Sequence, residues 1–166
     1  MATTSVKQQT RIRALLRNNY VKTAIMIVIV VGGVVSFWLG IKAVLRTEYP
    51  FMAVASGSME PTLPVGTLIV VQGYADPSTI YAAPPIKVNG TLMHRGDIVV
   101  FYHWSLDFSR LEHWVHRAIG EIFDVNGKRY LRTRGDYTDS GADSHYNITS
   151  KASLPGLPEE YVIGKV

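Results

Sequence analysis

Cysteine is absent from the 166-residue chain. No disulfide can staple its fold, no thiolate can attack a substrate, and no Cys-ligated zinc can form. A domain exported from the cell would therefore have to rest on its apolar core alone. Acidic residues are missing from the first 22 residues, which carry Lys7, Arg11, Arg13, Arg17 and Lys22. Beyond them 12 basic residues face 13 acidic ones, so the alkaline character belongs to the tail. The near-neutral remainder argues against a nucleic-acid-binding surface. Internal repeats and low-complexity tracts are lacking as well. The acidic residues of "GDYTDSGAD" do not follow EF-hand spacing and read as solvated, so no metal and no cofactor is expected.

What is present first is an uncharged run, Thr23 to Ile41, "TAIMIVIVVGGVVSFWLGI". At about 1.5 Å per residue, a helix of this length nearly matches a hydrocarbon core of about 30 Å. It has no polar face, which a half-buried helix of a soluble domain would show. The basic tail before it predicts a cytoplasmic N-terminus and an extracytoplasmic remainder, lumenal if the membrane is that of the endoplasmic reticulum. Ala53-Val54-Ala55 resembles a signal-peptide cleavage site, but the apolar run is too long, and Lys42, Arg46 and Glu48 separate the two. The expected organisation is a basic tail over 1–22, a signal-anchor helix over 23–45 and an extracytoplasmic domain over 46–166. Asn89-Gly90-Thr91 and Asn147-Ile148-Thr149 fit the glycosylation sequon, a weak sign of the same topology.

After Arg46 the pattern is that of strands. "FMAVA", "TLIVVQGY", "DIVVFYHW", "HWVHRAIGEIFDV", "RYLRTRG" and "EYVIGKV" are short, β-branched and aromatic, and bounded by Gly, Pro, Asp or Asn. Asn126-Gly127 predicts a hairpin between the fourth and fifth runs. Residues 75–95 and 137–159 read as excursions without period, and "SLDFSRLEHW" as a helical turn or a widened loop. The fold class is mainly β, on one N-terminal transmembrane helix.

One turn between strands raises a chemical question. In "SGSMEPTLPVG" two serines flank Gly57, which lets the backbone bend, while Pro61 and Pro64 stiffen the chain beyond Ser58. A serine needs a base to take its proton and donors for the oxyanion that forms. "EHWVHRAIG" offers His113 and His116, which face opposite ways in a strand, so only one can reach Ser58. "TRGDYTDSGAD" offers Asp136, Asp139 and Asp143 to orient an imidazole. On residue types alone these remain candidates: such turns, histidines and acids are more often structural.

Taken in order behind one anchor, "SGSMEPTL", "RGDIVVF", "WVHRAIG" and "RTRGDYTDSGAD" resemble the type I signal peptidase family over roughly residues 20–166. Bacterial members carry lysine in the third box; archaeal and endoplasmic-reticulum (Sec11-like) members carry histidine, as here. The resemblance implies a signal-peptidase-like β catalytic domain with Ser58 as nucleophile and His116 as general base. It implies an oxyanion site from the Ser56 hydroxyl and the Ser58 N–H, and structural roles for Arg95, Gly96 and Asp97. Tyr137 and Thr138 replace two asparagines of the family's acidic box, and Asp143 lies one residue further on than the usual second Asp. The orienting acid is therefore ranked Asp143, Asp136, Asp139.

The implied activity is an endopeptidase that cuts preproteins after small residues of Ala-x-Ala type, through an acyl-enzyme on Ser58. An extended signal peptide can add to a sheet edge as a further strand, and Met52, Ala53, Val54 and Ala55 are expected to line that groove. Expected partners are preprotein signal peptides, membrane lipid touched by Phe51 and Met52, and the protein-export machinery. Other readings are a LexA-like self-cleaving protease, an anchored binding module, and an inactive subunit of a processing complex. The first lacks its lysine; the others leave Ser58 and His116 without work.

Overall fold

A computed structural model describes residues 18–74, 76–89, 91–105, 107–137 and 142–166. The chain divides into two compact units, Met1–Ile41 and Lys42–Val166. Most of helix α1 (Asn19–Leu45) belongs to the first, and none of its residues is buried. Asn18 caps it, its Oδ1 accepting from the Tyr20 N–H at 2.9 Å. The helix is apolar all round, and among the described residues it alone is long and apolar enough to cross a membrane.

The second unit is mostly sheet. Strands β1 (Phe51–Ala53) and β2 (Leu68–Val70) form a ribbon, as do β3 (Ile86–Val88) and β4 (Thr91–Met93). The central sheet takes β5 (Ile98–Trp104), β6 (Leu111–Phe123) and β7 (Arg129–Arg134) in hairpin succession. Strands β8 (His145–Tyr146) and β9 (Ser153–Leu154) pair separately, while β10 (Leu157–Pro158) and β11 (Val162–Lys165) close the two edges. The order is β10-β7-β6-β5-β11, every neighbour antiparallel.

The six expected strand runs correspond to β1, β2, β5, β6, β7 and β11. The predicted hairpin joins β6 to β7, with Gly127 at φ +78°, a conformation that glycine adopts without steric cost. The two excursions carry more order than their composition suggested: β3–β4 in one, β8, β9 and β10 in the other. The described residues between Ser105 and Arg110 form a widened loop, where the Ser105 hydroxyl donates to Asp107 and accepts from the Ser109 and Arg110 N–H groups.

Strand alternation splits the core in two. Val99 and Phe101 of β5, Ala118 of β6 and Leu131 of β7 pack on one face with Leu157 and Ile80. Val100 points the other way and meets Val54, Ile69 and Val71. Because β5 and β6 pair Val99 with His116, that histidine shares the first face, and its neighbour Arg117 takes the second.

Candidate active site

Ser58 sits in a one-turn 3₁₀ helix, Gly57–Met59, entered through Ser56 in extended backbone. The adjacent residue explains the methionine of the motif: Met59 is 1% exposed and pins the turn to the body. Ser58 is thereby held partly open above an anchored base. The turn also needs a glycine elsewhere. A Cβ on Gly135 would fall 2.4 Å from the Ser58 carbonyl oxygen, and Tyr137 N–H donates to that same oxygen at 3.0 Å. If Ser58 is a nucleophile, Gly135→Ala is expected to push the turn outward and slow its reaction about 100-fold, the usual cost of misplacing reacting atoms by about 1 Å. Circular dichroism should show the sheet unchanged while kcat falls.

The structure brings Ser58, His116 and Asp143 into one line. His116 Nε2 lies 3.1 Å from Ser58 Oγ, and His116 Nδ1 lies 2.6 Å from Asp143 Oδ2. Burial works against the charge on Asp143, but hydrogen bonds from His116 and Thr133 and the nearby imidazoles outweigh it and hold the carboxyl below its ordinary range. An ionised carboxylate can only accept, so Nδ1 carries the proton and Nε2 is left as acceptor for the Ser58 hydroxyl. The His116 ring is fixed edge-on to Trp114 and Phe101, with centroids 5.4 and 6.3 Å away. Ser56 Oγ is 3.3 Å from Ser58 Oγ.

Asp136, ranked second as orienting acid, is turned elsewhere. Arg117 grips it at both oxygens, Nε to Oδ1 at 2.8 Å and Nη2 to Oδ2 at 2.6 Å, and gives a third bond to the Gly96 carbonyl at 2.7 Å. Thr62 donates to it at 2.6 Å, and His94 Nδ1 stands 3.1 Å away. Burial raises the Asp136 pKa, yet these partners, Arg117 foremost, bring it below the usual carboxylate range. The difference from expectation is one of face: Asp136 serves the Arg117 side of β6, Asp143 the His116 side. Asp139 lies outside the described residues. His113 lines the same cleft as Ser58, and its ring rests on Tyr49 and Tyr102, centroids 4.6 and 5.2 Å away.

A cleft of about 410 Å³ opens beside Ser58, bounded by Met52 to Ser56 on one side and Glu112 to His116 on the other. All four groove residues expected from the sequence line it. Val54 is buried and makes the floor, its N–H bonded to Thr67 and its carbonyl to Gly66, while Ala53 and Ala55 are exposed. Two further polar residues touch the site. Thr133 donates to Asp143 Oδ2 at 2.7 Å, and His145 lies behind it. In sequence Thr133 looked like an ordinary β-former of "RYLRTRG". No cluster suited to a metal ion is found among the described residues.

The family model for signal peptidase, peptidase S26, matches residues 17–121. The chain belongs to the signal peptidase S26 family. It is also 28% identical over 100 residues to the signal peptidase complex catalytic subunit SEC11 of Eremothecium gossypii. That stretch is 60% of this chain and 48% of the relative, so the chain spans about half the length of the curated protein it matches. The family match includes Ser58 and His116; the loop that carries Asp143 lies beyond it. The family is named for signal peptidase. The mostly-sheet domain behind an apolar N-terminal helix agrees with it.

Proposed function

We propose that this S26 member is a membrane-anchored serine endopeptidase that removes signal peptides from preproteins, with Ser58, His116 and Asp143 as its catalytic residues. The observation that carries the reading is the unbroken hydrogen-bonded line from Ser58 Oγ through His116 to Asp143, at the side of a cleft with an exposed extended segment.

The chemistry is set by the proton positions. His116 Nε2 takes the Ser58 proton as Oγ attacks the scissile carbonyl, and Asp143 stabilises the imidazolium that results. The oxyanion accepts from the Ser58 N–H and the Ser56 hydroxyl, which needs only to rotate away from Ser58 Oγ. Protonated His116 gives its proton to the leaving amine, and the C–N bond breaks. Water, deprotonated by the same nitrogen, then cleaves the acyl ester and restores Ser58. The peptide before the scissile bond would run along Ala53 to Ala55, where little depth above the Val54 floor favours small side chains. We read α1 as the anchor, with the basic tail on the cytoplasmic side. The SEC11 relative is named for a complex, which makes assembly with other subunits part of this reading.

The test is reconstitution of the full chain in liposomes with a preprotein that ends in Ala-x-Ala. The expected result is a new N-terminus immediately after that motif, together with covalent labelling of Ser58 by an acylating inhibitor. His116→Ala should label at least about 1,000-fold more slowly, since the hydroxyl loses its base. Equal labelling of both proteins would remove His116 from the mechanism.

A further inference from the structure

Behind Asp143 stand two buried polar side chains for which the proposed reaction gives no reason. Thr133 is 0% exposed and His145 is 2% exposed. Thr133 Oγ1 lies 2.7 Å from Asp143 Oδ2 and 3.0 Å from His145 Nε2. The Asp143 N–H also donates to the Thr133 carbonyl at 2.8 Å, so β7 holds this residue by backbone and side chain together.

The hydrogens along this line have one consistent arrangement. Thr133 has a single hydroxyl proton, and only the carboxylate lacks one, so Thr133 donates to Asp143. Its free lone pair must then be met by an N–H, which assigns the His145 proton to Nε2. Burial pushes the His145 imidazole down to about 4, with His103 and His116 adding to the effect against the pull of Asp143. It is neutral under working conditions and adds no competing charge. Donors thus converge on Asp143 from both ends: Ser58 through His116 on one side, His145 through Thr133 on the other.

Packing alone would not select these residues. Valine has the shape of threonine and suits a strand, whereas burying a hydroxyl and an imidazole is costly unless they bond each other or a third group. Oδ2 is the third group here. It accepts from both His116 and Thr133, so the Thr133 bond fixes the carboxylate angle from which His116 is addressed.

We propose that Thr133 and His145 are positioning residues that hold Asp143 in the one orientation able to fix His116 toward Ser58. The proposal rests on the triad reading above and extends it to five residues. Neither side chain touches the scissile bond; both act through Asp143.

The experiment compares wild type, Thr133→Val, Thr133→Ser and His145→Phe as full-length chains in liposomes. Two rates are read: acylation of Ser58 by a small inhibitor, and preprotein cleavage resolved into kcat and KM. Thr133→Val is expected to lower acylation and kcat about tenfold or more, as loss of a hydrogen bond to a charged acceptor requires, with KM unchanged. Thr133→Ser should recover to within about threefold, because it restores the donor, and His145→Phe should fall between the two. Wild-type rates in Thr133→Val would overturn the proposal, as would equal loss in Thr133→Ser, which would mark a packing role. If acylation keeps the expected order while no variant cleaves preprotein, the positioning stands and the substrate reading fails. If wild-type Ser58 is not acylated at all, both readings fail.

Discussion

Ser58→Ala protein is expected to lose preprotein cleavage by about five to six orders of magnitude, leaving only what binding and oxyanion contacts supply. On the proposed mechanism the loss is large because the hydroxyl forms the covalent bond, and no neighbouring group can replace it. Ser56 Oγ is only 3.3 Å away, but the His116 Nε2 contact belongs to Ser58, so Ser56 would attack without a base. His116→Ala should cost about as much, and the double variant scarcely more, since the two act as one unit. Asp143→Asn should cost about 10⁴-fold: an amide keeps the shape but favours the wrong imidazole tautomer. Asp136→Asn is the control that separates the two acids. It should spare the proton relay and weaken the fold instead. Single-turnover cleavage at matched protein and lipid gives all five values. Ser58→Ala cleaving at a tenth of the wild-type rate would end the nucleophile assignment.

The second large effect concerns stability. Arg117→Met is expected to destabilise the β unit by about 3–5 kcal/mol, because it leaves the Asp136 carboxylate buried without its counter-charge. The side chain of Asp136 is 1% exposed and cannot turn to water, and the remaining partners, Thr62 and His94, cannot replace a bidentate guanidinium. Adding Asp136→Leu to Arg117→Met should recover much of the loss, since removing both charges removes the desolvation penalty as well. The pH dependence has a definite sign. Pairing holds the Asp136 pKa below its unfolded value of about 3.9, so the stabilisation is complete above that value. It is lost as pH falls through the lower, folded value. Urea unfolding of the detergent-solubilised chain, monitored by tryptophan fluorescence, measures both effects. An unchanged midpoint for Arg117→Met would show that the pair carries no net stability.

The strands were legible because alternation and turn chemistry agree. Val99, Phe101, Ala118 and Leu131 lie on one face as the period of two requires, and Asn126-Gly127 marks the hairpin it should. The β3–β4 ribbon was missed although Asn89-Gly90 carries the same dipeptide. Prolines on one side and short three-residue strands masked the alternation that a longer run would have shown. The site was legible to the extent that chemistry is local. The serine turn and the alternation of His113 with His116 reduce to backbone geometry, and the four boxes supplied their order. The acid was legible only as a ranking headed by Asp143, because nothing in loop spacing says which face of β6 a carboxylate will meet. That choice depends on the bond between the Asp143 N–H and the Thr133 carbonyl, a contact ten residues apart. Thr133 and His145 were invisible for a similar reason. Thr133 sits in an ordinary strand run and His145 in a stretch without period, and only their distances reveal the line they form.

His116 and Arg117 are adjacent in sequence, yet the β5–β6 pairing stands them on opposite faces, one toward Ser58 and one toward Asp136. A single-residue slip of β6 against β5 would exchange them, placing a permanent cation behind the serine and a weak base against a buried carboxylate. Reactivity and integrity are thus coupled to the same register, and a misaligned hairpin would fail to persist at the same time as it failed to react. For the endopeptidase proposed above, such coupling would be a safeguard: no folded but wrongly assembled species would retain a working nucleophile.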